Sequence, residues 1–144
     1  MAESRIDILI RISEVNLARA ERRFESGEYD SAVFHASMAV ENAANALILK
    51  LGGVEAKNHR AVSGLAAVLR RVKPELLREE KYAKLIERGA AIQREVVYTR
   101  YPIKMGGKWM TPMDYYTREK ARETIDNAKL VVKEIRQVLN KIRI

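Results

Sequence analysis

Cysteine is absent from the 144-residue chain, and histidine occurs only twice. That excludes a disulfide framework, thiolate-bound zinc and thiol nucleophiles, and two histidines cannot by themselves build a catalytic metal centre. No metal and no other cofactor is expected. Proline and glycine are scarce, 3 and 7 residues, and aromatics make up only 6% of the chain. Long apolar runs are also missing: charges interrupt every one well before the roughly 18 residues that a membrane span needs. Met1–Ile10 lacks the basic start and unbroken apolar core of a signal peptide, since Asp7 falls inside it. The expected location is therefore the cytoplasm, without membrane contact. The chemistry left to the chain is acid–base work and that of Tyr, Arg and Lys.

What is present is apolar residue content of 47%, too high for a disordered chain, at a length that suits one domain spanning residues 1–144. Lys and Arg number 27 against 19 Asp and Glu, a net charge of +8. A pI near 9.8 makes polyanions, nucleotides or an acidic protein the expected partners. Ion-pair networks with an excess of one sign are the plainer explanation.

Apolar residues recur at helical spacing almost throughout, and no stretch alternates with period two over strand length, so the chain reads as all-α. Punctuation divides it into five helices. The first, about Ser4–Glu25, carries Ile6, Ile10, Leu17, Ala20 and Phe24 on one stripe and stops at Ser26-Gly27. The second, about Glu28–Leu51, is Ala-rich, contains no Lys or Arg between Arg23 and Lys50, and stops at Gly52-Gly53. Small side chains let neighbouring backbones approach, which places it centrally. The third runs from about His59 to Val72, and the fourth from about Leu76 to Thr99, ahead of Pro102. The fifth, about Thr117–Ile142, repeats Ala121, Ile125, Ala128, Val132, Ile135, Leu139 and Ile142 at alternating four and three. Short connections make neighbours antiparallel, so the expected fold is an up-and-down antiparallel four-helix bundle with one additional short helix.

The segment Tyr98–Tyr116 departs from the bundle pattern. It holds five of the nine aromatics, including the only Trp, with Arg100, Lys104, Lys108 and Gly106-Gly107 among them. Aromatic faces stack bases, cations meet phosphates and glycines let backbone amides approach an anion, so the mixture suits a nucleotide or single-stranded RNA. It matches no phosphate-loop spacing. The structural alternative is a long connection whose rings cover the open end of the bundle.

On the second helix, Ser37, Glu41 and Asn45 share one stripe, and His35, Met38 and Asn42 the adjacent one. A buried carboxylate is costly unless a cation answers it, so Glu41 should have an Arg or Lys partner, with Arg94 and Arg100 the candidates. The plainer alternative is a structural ion pair at Glu41 and a satisfied interior His35. His59 stands at a helix start, where its ring can cap or contact a loop. The basic stretch Arg70–Arg88 is interleaved with Glu75, Glu79, Glu80 and Glu87, which marks a solvated face laced with weak pairs.

With these landmarks in order, the chain resembles the HEPN family. The resemblance rests on Gly27-Glu-Tyr-Asp-Ser-Ala-Val-Phe34, on Ala39-Val-Glu-Asn-Ala-Ala-Asn-Ala46, on His59 leading the third helix and on Arg100-Tyr-Pro102. It implies a helical bundle that dimerises around a cleft, often beside a minimal nucleotidyltransferase. Many such proteins are metal-independent RNases whose signature is an Arg followed after four to six residues by a His. Arg100 fits the first half, but the positions for the His hold Met105, Gly106 and Gly107. Arg is too basic to relay protons. The expectation is thus a nucleotide- or RNA-binding homodimer in a toxin–antitoxin-type module, with a cleft lined by Arg100, Tyr98, Tyr101, Lys104, Lys108, Glu41 and His35. A ribonuclease toxin that keeps Arg100 as a catalytic residue is the alternative, with His35, His59 or Tyr101 replacing the missing His. In such systems the partner modifies a Tyr near the Arg, which points to Tyr101. A third reading is a structural oligomer that buries the fifth-helix seam against another copy.

Overall fold

Helix α1 (Arg5–Glu25) begins where the sequence signals it, because Ser4 and Asp7 form a reciprocal capping box. The computed structural model describes residues 3–142, so the two residues at each end of the expected 1–144 domain lie outside it. Helix α2 (Tyr29–Lys50) follows and ends at Gly52, whose φ of 84° needs a residue without a Cβ penalty. Helix α3 (Ala61–Val72) leads through a 3-10 turn over Pro74–Arg78 into α4 (Glu80–Arg94). A break at Glu95 separates α4 from the short α5 (Val96–Arg100). Strands β1 (Ile103–Met105) and β2 (Lys108–Met110) form an antiparallel hairpin. The one-turn α6 (Pro112–Tyr115) and the long α7 (Arg118–Lys141) complete the chain.

The molecule is a helical bundle with α2 at its centre, packed on α1, α7, α3 and α4. Every residue of α2 is buried or half-buried, and its Ala32, Ala36, Ala39, Ala43, Ala44 and Ala46 are wholly inaccessible. The polar Ser13 of α1 fits this contact by donating to the Ala39 carbonyl at 2.7 Å, so that its burial leaves no bare hydroxyl. On the other side, a Cβ on Gly89 of α4 would meet Val62 of α3 at 3.1 Å, which sets the close approach of those helices.

Two expectations need correction and a third an addition. The fourth helix does not run unbroken from Leu76 to Thr99: Glu79 adopts extended geometry and Glu95 interrupts the next run, so three shorter pieces replace it. The all-α bundle expectation holds but misses one element, a small hairpin closed by a two-residue turn at Gly106 (φ 56°) and Gly107 (φ 78°). Such turns need positive φ at both positions, and three-residue strands are too short to show alternation. Finally, the α7 seam of Ala121, Ile125, Ala128, Val132 and Ile135 is consumed against the protein's own core. Leu139 and Ile142, at its C-terminal end, are half-buried against the same core.

Candidate functional site

Arg100 is the last residue of α5, and the extended conformation of Tyr101 ahead of Pro102 ends the helix there. Its guanidinium lies 5.5 Å from the centre of the Phe34 ring of α2, a cation–π contact that orients the side chain while its donors stay open to solvent. Among the described residues Arg100 has no carboxylate at ion-pair distance. Tyr98 stacks on Tyr115 with ring centres 5.5 Å apart, and Tyr101 is freely exposed. Buried Ile103 anchors the hairpin, from which Lys104 reaches over the Trp109 ring across the strand pair. Lys108 follows the turn, and Trp109 remains 68% exposed. Tyr98, Arg100, Tyr101, Lys104 and Lys108 thus all lie exposed on α5 and the hairpin, three of them against rings of other residues, Tyr115, Phe34 and Trp109.

This end is held by a network that the sequence did not signal. The buried Tyr116 hydroxyl sits 2.6 Å from the Glu95 carboxylate and 3.2 Å from the Glu95 carbonyl, tying the start of α7 to the break between α4 and α5. Burial first, and the neighbouring carboxylate second, push the Tyr116 phenol well above its usual range. Lys120 bonds the Tyr115 hydroxyl and lies 3.6 Å from Glu95. Burial works against its charge, but those two partners outweigh it and raise its pKa. The break therefore has a fixed geometry, and with it the direction of α5 and Arg100.

Glu41 and His35 stand elsewhere. Glu41 does not meet Arg94 or Arg100; its carboxylate lies 3.3 Å from Nδ1 of His59. The stripe it shares with Ser37 and Asn45 is real, but it faces different elements along its length. Ser37 meets the Ile92 carbonyl of α4 at 3.4 Å, whereas Asn45 binds the backbone of Ala56 in the loop before α3. Glu41 falls opposite that loop. His59 itself precedes α3, at a left-handed φ of 59°, and caps no helix. His35 places Nδ1 3.1 Å from the Asn16 side chain and lines a cavity of about 560 Å³ with Arg19, Arg22 and Arg23. Burial and those three guanidiniums lower its pKa, which favours the neutral ring at neutral pH. His35 and Arg100 both approach the Phe34 ring, each 5.5 Å from its centre.

Among the described residues no cluster of three His, Asp or Glu side chains could hold a metal, and no helix is long and apolar enough to cross a membrane. Among Arg70–Arg88, Lys84 pairs with Glu80 and Arg88 with Glu134.

Comparison with known proteins adds three findings. Residues 6–138 match the family model described as HEPN domain. A Methanocaldococcus jannaschii protein named "Putative toxin MJ1304" is 27% identical over 134 residues, covering 93% of this chain and 88% of its own. Two solved structures share the fold. The crystal structure of TT1696 from Thermus thermophilus has a TM-score of 0.74 at 25% identity, covering 94% of this chain and 98% of that one. The structure of ST0689, described as an archaeal HEPN homologue, has a TM-score of 0.69 at 21% identity, with coverage of 95% and 99%.

Proposed function

The chain belongs to the HEPN family, and on that premise we propose that it is a nucleotide- or RNA-binding partner of a minimal nucleotidyltransferase in a toxin–antitoxin-type module, working in the cytoplasm as a single domain without the Arg/His nuclease chemistry. The observation that carries this reading is Arg100, oriented by Phe34 and free of any carboxylate partner among the described residues, on an α5–hairpin segment that also exposes Tyr98, Tyr101 and Trp109. A guanidinium in that setting reads a phosphate while the rings stack bases. No histidine stands at the spacing that cleavage requires, and both histidines of the chain face other partners. In-line attack by a ribose 2′-hydroxyl needs a base and an acid near neutrality, and Arg supplies neither.

The homodimer fits the same reading. Ile8, Ile12 and Val15 follow one another at four and three along the outer face of α1, between 38% and 42% exposed, and a second copy would cover them. Sedimentation at micromolar concentration tests this, with a monomer as the contrary result.

The function is tested by incubating the protein with total RNA in EDTA beside Arg100→Ala, reading mobility shift and cleavage together. The expected outcome is binding that weakens with salt and with the substitution, and no cleavage. Cleavage lost in Arg100→Ala would instead establish the second reading, an RNase toxin, which the name of the M. jannaschii relative favours. Exposed Tyr101 is then the residue to inspect by mass spectrometry after co-expression with a nucleotidyltransferase.

A further inference from the structure

The loop before α3, the last turn of α4 and the start of α5 line an open cavity of about 440 Å³ that does not include Arg100. That size falls within the roughly 300–1,000 Å³ of small-molecule sites. Its polar wall is made by His59, Arg60, Ser63, Gln93 and Arg94, and Ala90, Val96 and Val97 supply an apolar side. Two features show that the wall lacks a partner. Gln93 is only 8% exposed; its Oε1 accepts the Val62 backbone N–H at 2.8 Å, yet its buried Nε2 has no acceptor. A buried amide left without an acceptor is costly and calls for an explanation. Arg60 and Arg94 are exposed, and among the described residues neither has a carboxylate at ion-pair distance.

The surroundings favour an anion. The wall offers donors from two guanidiniums and the Ser63 hydroxyl, and Gln93, whose Nε2 is buried and unpaired, lines it too. Helix α3 starts here with no side-chain cap and no acidic residue in its first turn, so the positive end of its dipole is left uncompensated. No carboxylate lines the cavity, and Glu41 lies 3.3 Å from Nδ1 of His59. Two guanidiniums balance a dianion, which a phosphate monoester is and a phosphodiester is not. We infer that this cavity is a second ligand site, which takes the phosphate of a small phosphomonoester such as a nucleoside 5′-monophosphate, with its organic part against Ala90 and Val97. The inference does not rest on the reading of Arg100.

The test is a titration of the ¹⁵N-labelled full chain with AMP, inorganic phosphate and adenosine, followed by NMR at the Gln93 side-chain amide and the Ser63 backbone amide. AMP and inorganic phosphate should give saturable shifts at both, and adenosine none. Arg60→Ala and Arg94→Ala alter exposed side chains and should each weaken AMP about tenfold, the loss of one charged hydrogen bond. Gln93→Glu keeps the acceptor for Val62 but replaces the free donor with a negative charge, and should abolish binding. Arg100→Ala should leave the affinity unchanged, so that failure of the Arg100 surface and failure of this cavity are separable. Absence of saturable shifts at millimolar ligand, equal binding of adenosine, exclusion of AMP while inorganic phosphate binds, or indifference to the Arg60 and Arg94 substitutions would each overturn the inference.

Discussion

Helix α2 and the segment from Val97 to Asp114 are built on opposite plans. No residue of α2 is exposed, its alanines let its neighbours approach closely, and its buried Ser37 and Asn45 have found backbone partners. From Val97 to Asp114 only Ile103 is buried, and the large Tyr101, Trp109 and Met113 stand in solvent beside Arg100, Lys104 and Lys108. A fold that needed those rings for its core would have covered them. The contrast separates residues that hold the protein together from residues available to a ligand, and it makes stability and binding independently breakable.

The sharpest break is in the core. Leu47→Ala, at a side chain 1% exposed, should cost about 2–5 kcal/mol by denaturant unfolding, because the cavity left behind adds to the lost apolar burial. Less severe is Tyr116→Phe, which removes the bonds to Glu95 where the two regions join. It should cost about 1.5–3 kcal/mol, and faster hydrogen exchange in α5 and the hairpin would show that the loss is felt there.

Acid probes a smaller term. Arg122, by hydrogen bond, and Lys129 hold the Glu21 carboxyl down at about 2, against burial that opposes its charge. A carboxyl depressed in the folded state stabilises above its ordinary pKa near 4.5, and that contribution is lost as pH falls from there toward 2. Solvent still reaches the half-buried Glu21 and its partners and screens the pair, so the loss should be about 1 kcal/mol or less, and absent from the pH profile of Glu21→Gln. Smallest in stability should be Arg100→Ala and Trp109→Ala, each within about 0.5 kcal/mol by the same measurement. If Trp109→Ala unfolded the protein, the division between the two regions would not hold.

Much of this was legible in the chain. The four-and-three spacing of α7 marked a buried seam, the alanines of α2 marked the central helix, and Gly52 marked its end. The clustering of Arg100 with aromatics was visible as composition. Gly106-Gly107, two glycines between short apolar-containing runs, was the available signal for the hairpin, but three-residue strands carry too little alternation to support it. Gln93 sits among the buried Gly89, Ile92 and Val96, and that polar interruption of an apolar face was the available signal for its role at α3. Glu95 and Tyr116 are separated by 21 positions and share no pattern that joins them.

The long helices α1, α2, α3 and α7, their inward faces and the family follow from the chain alone, because periodicity and capping are local properties repeated over many residues. So does the lack of a histidine after Arg100 at the nuclease spacing. Packing settled the rest: Glu41 meets His59 and not an arginine, His35 turns to Asn16, and the α7 seam is spent inside the protein. Helix phase names the side of a helix on which a group emerges. What it meets there depends on which distant element the packing brings opposite, and a group buried by that packing must take its partner from it.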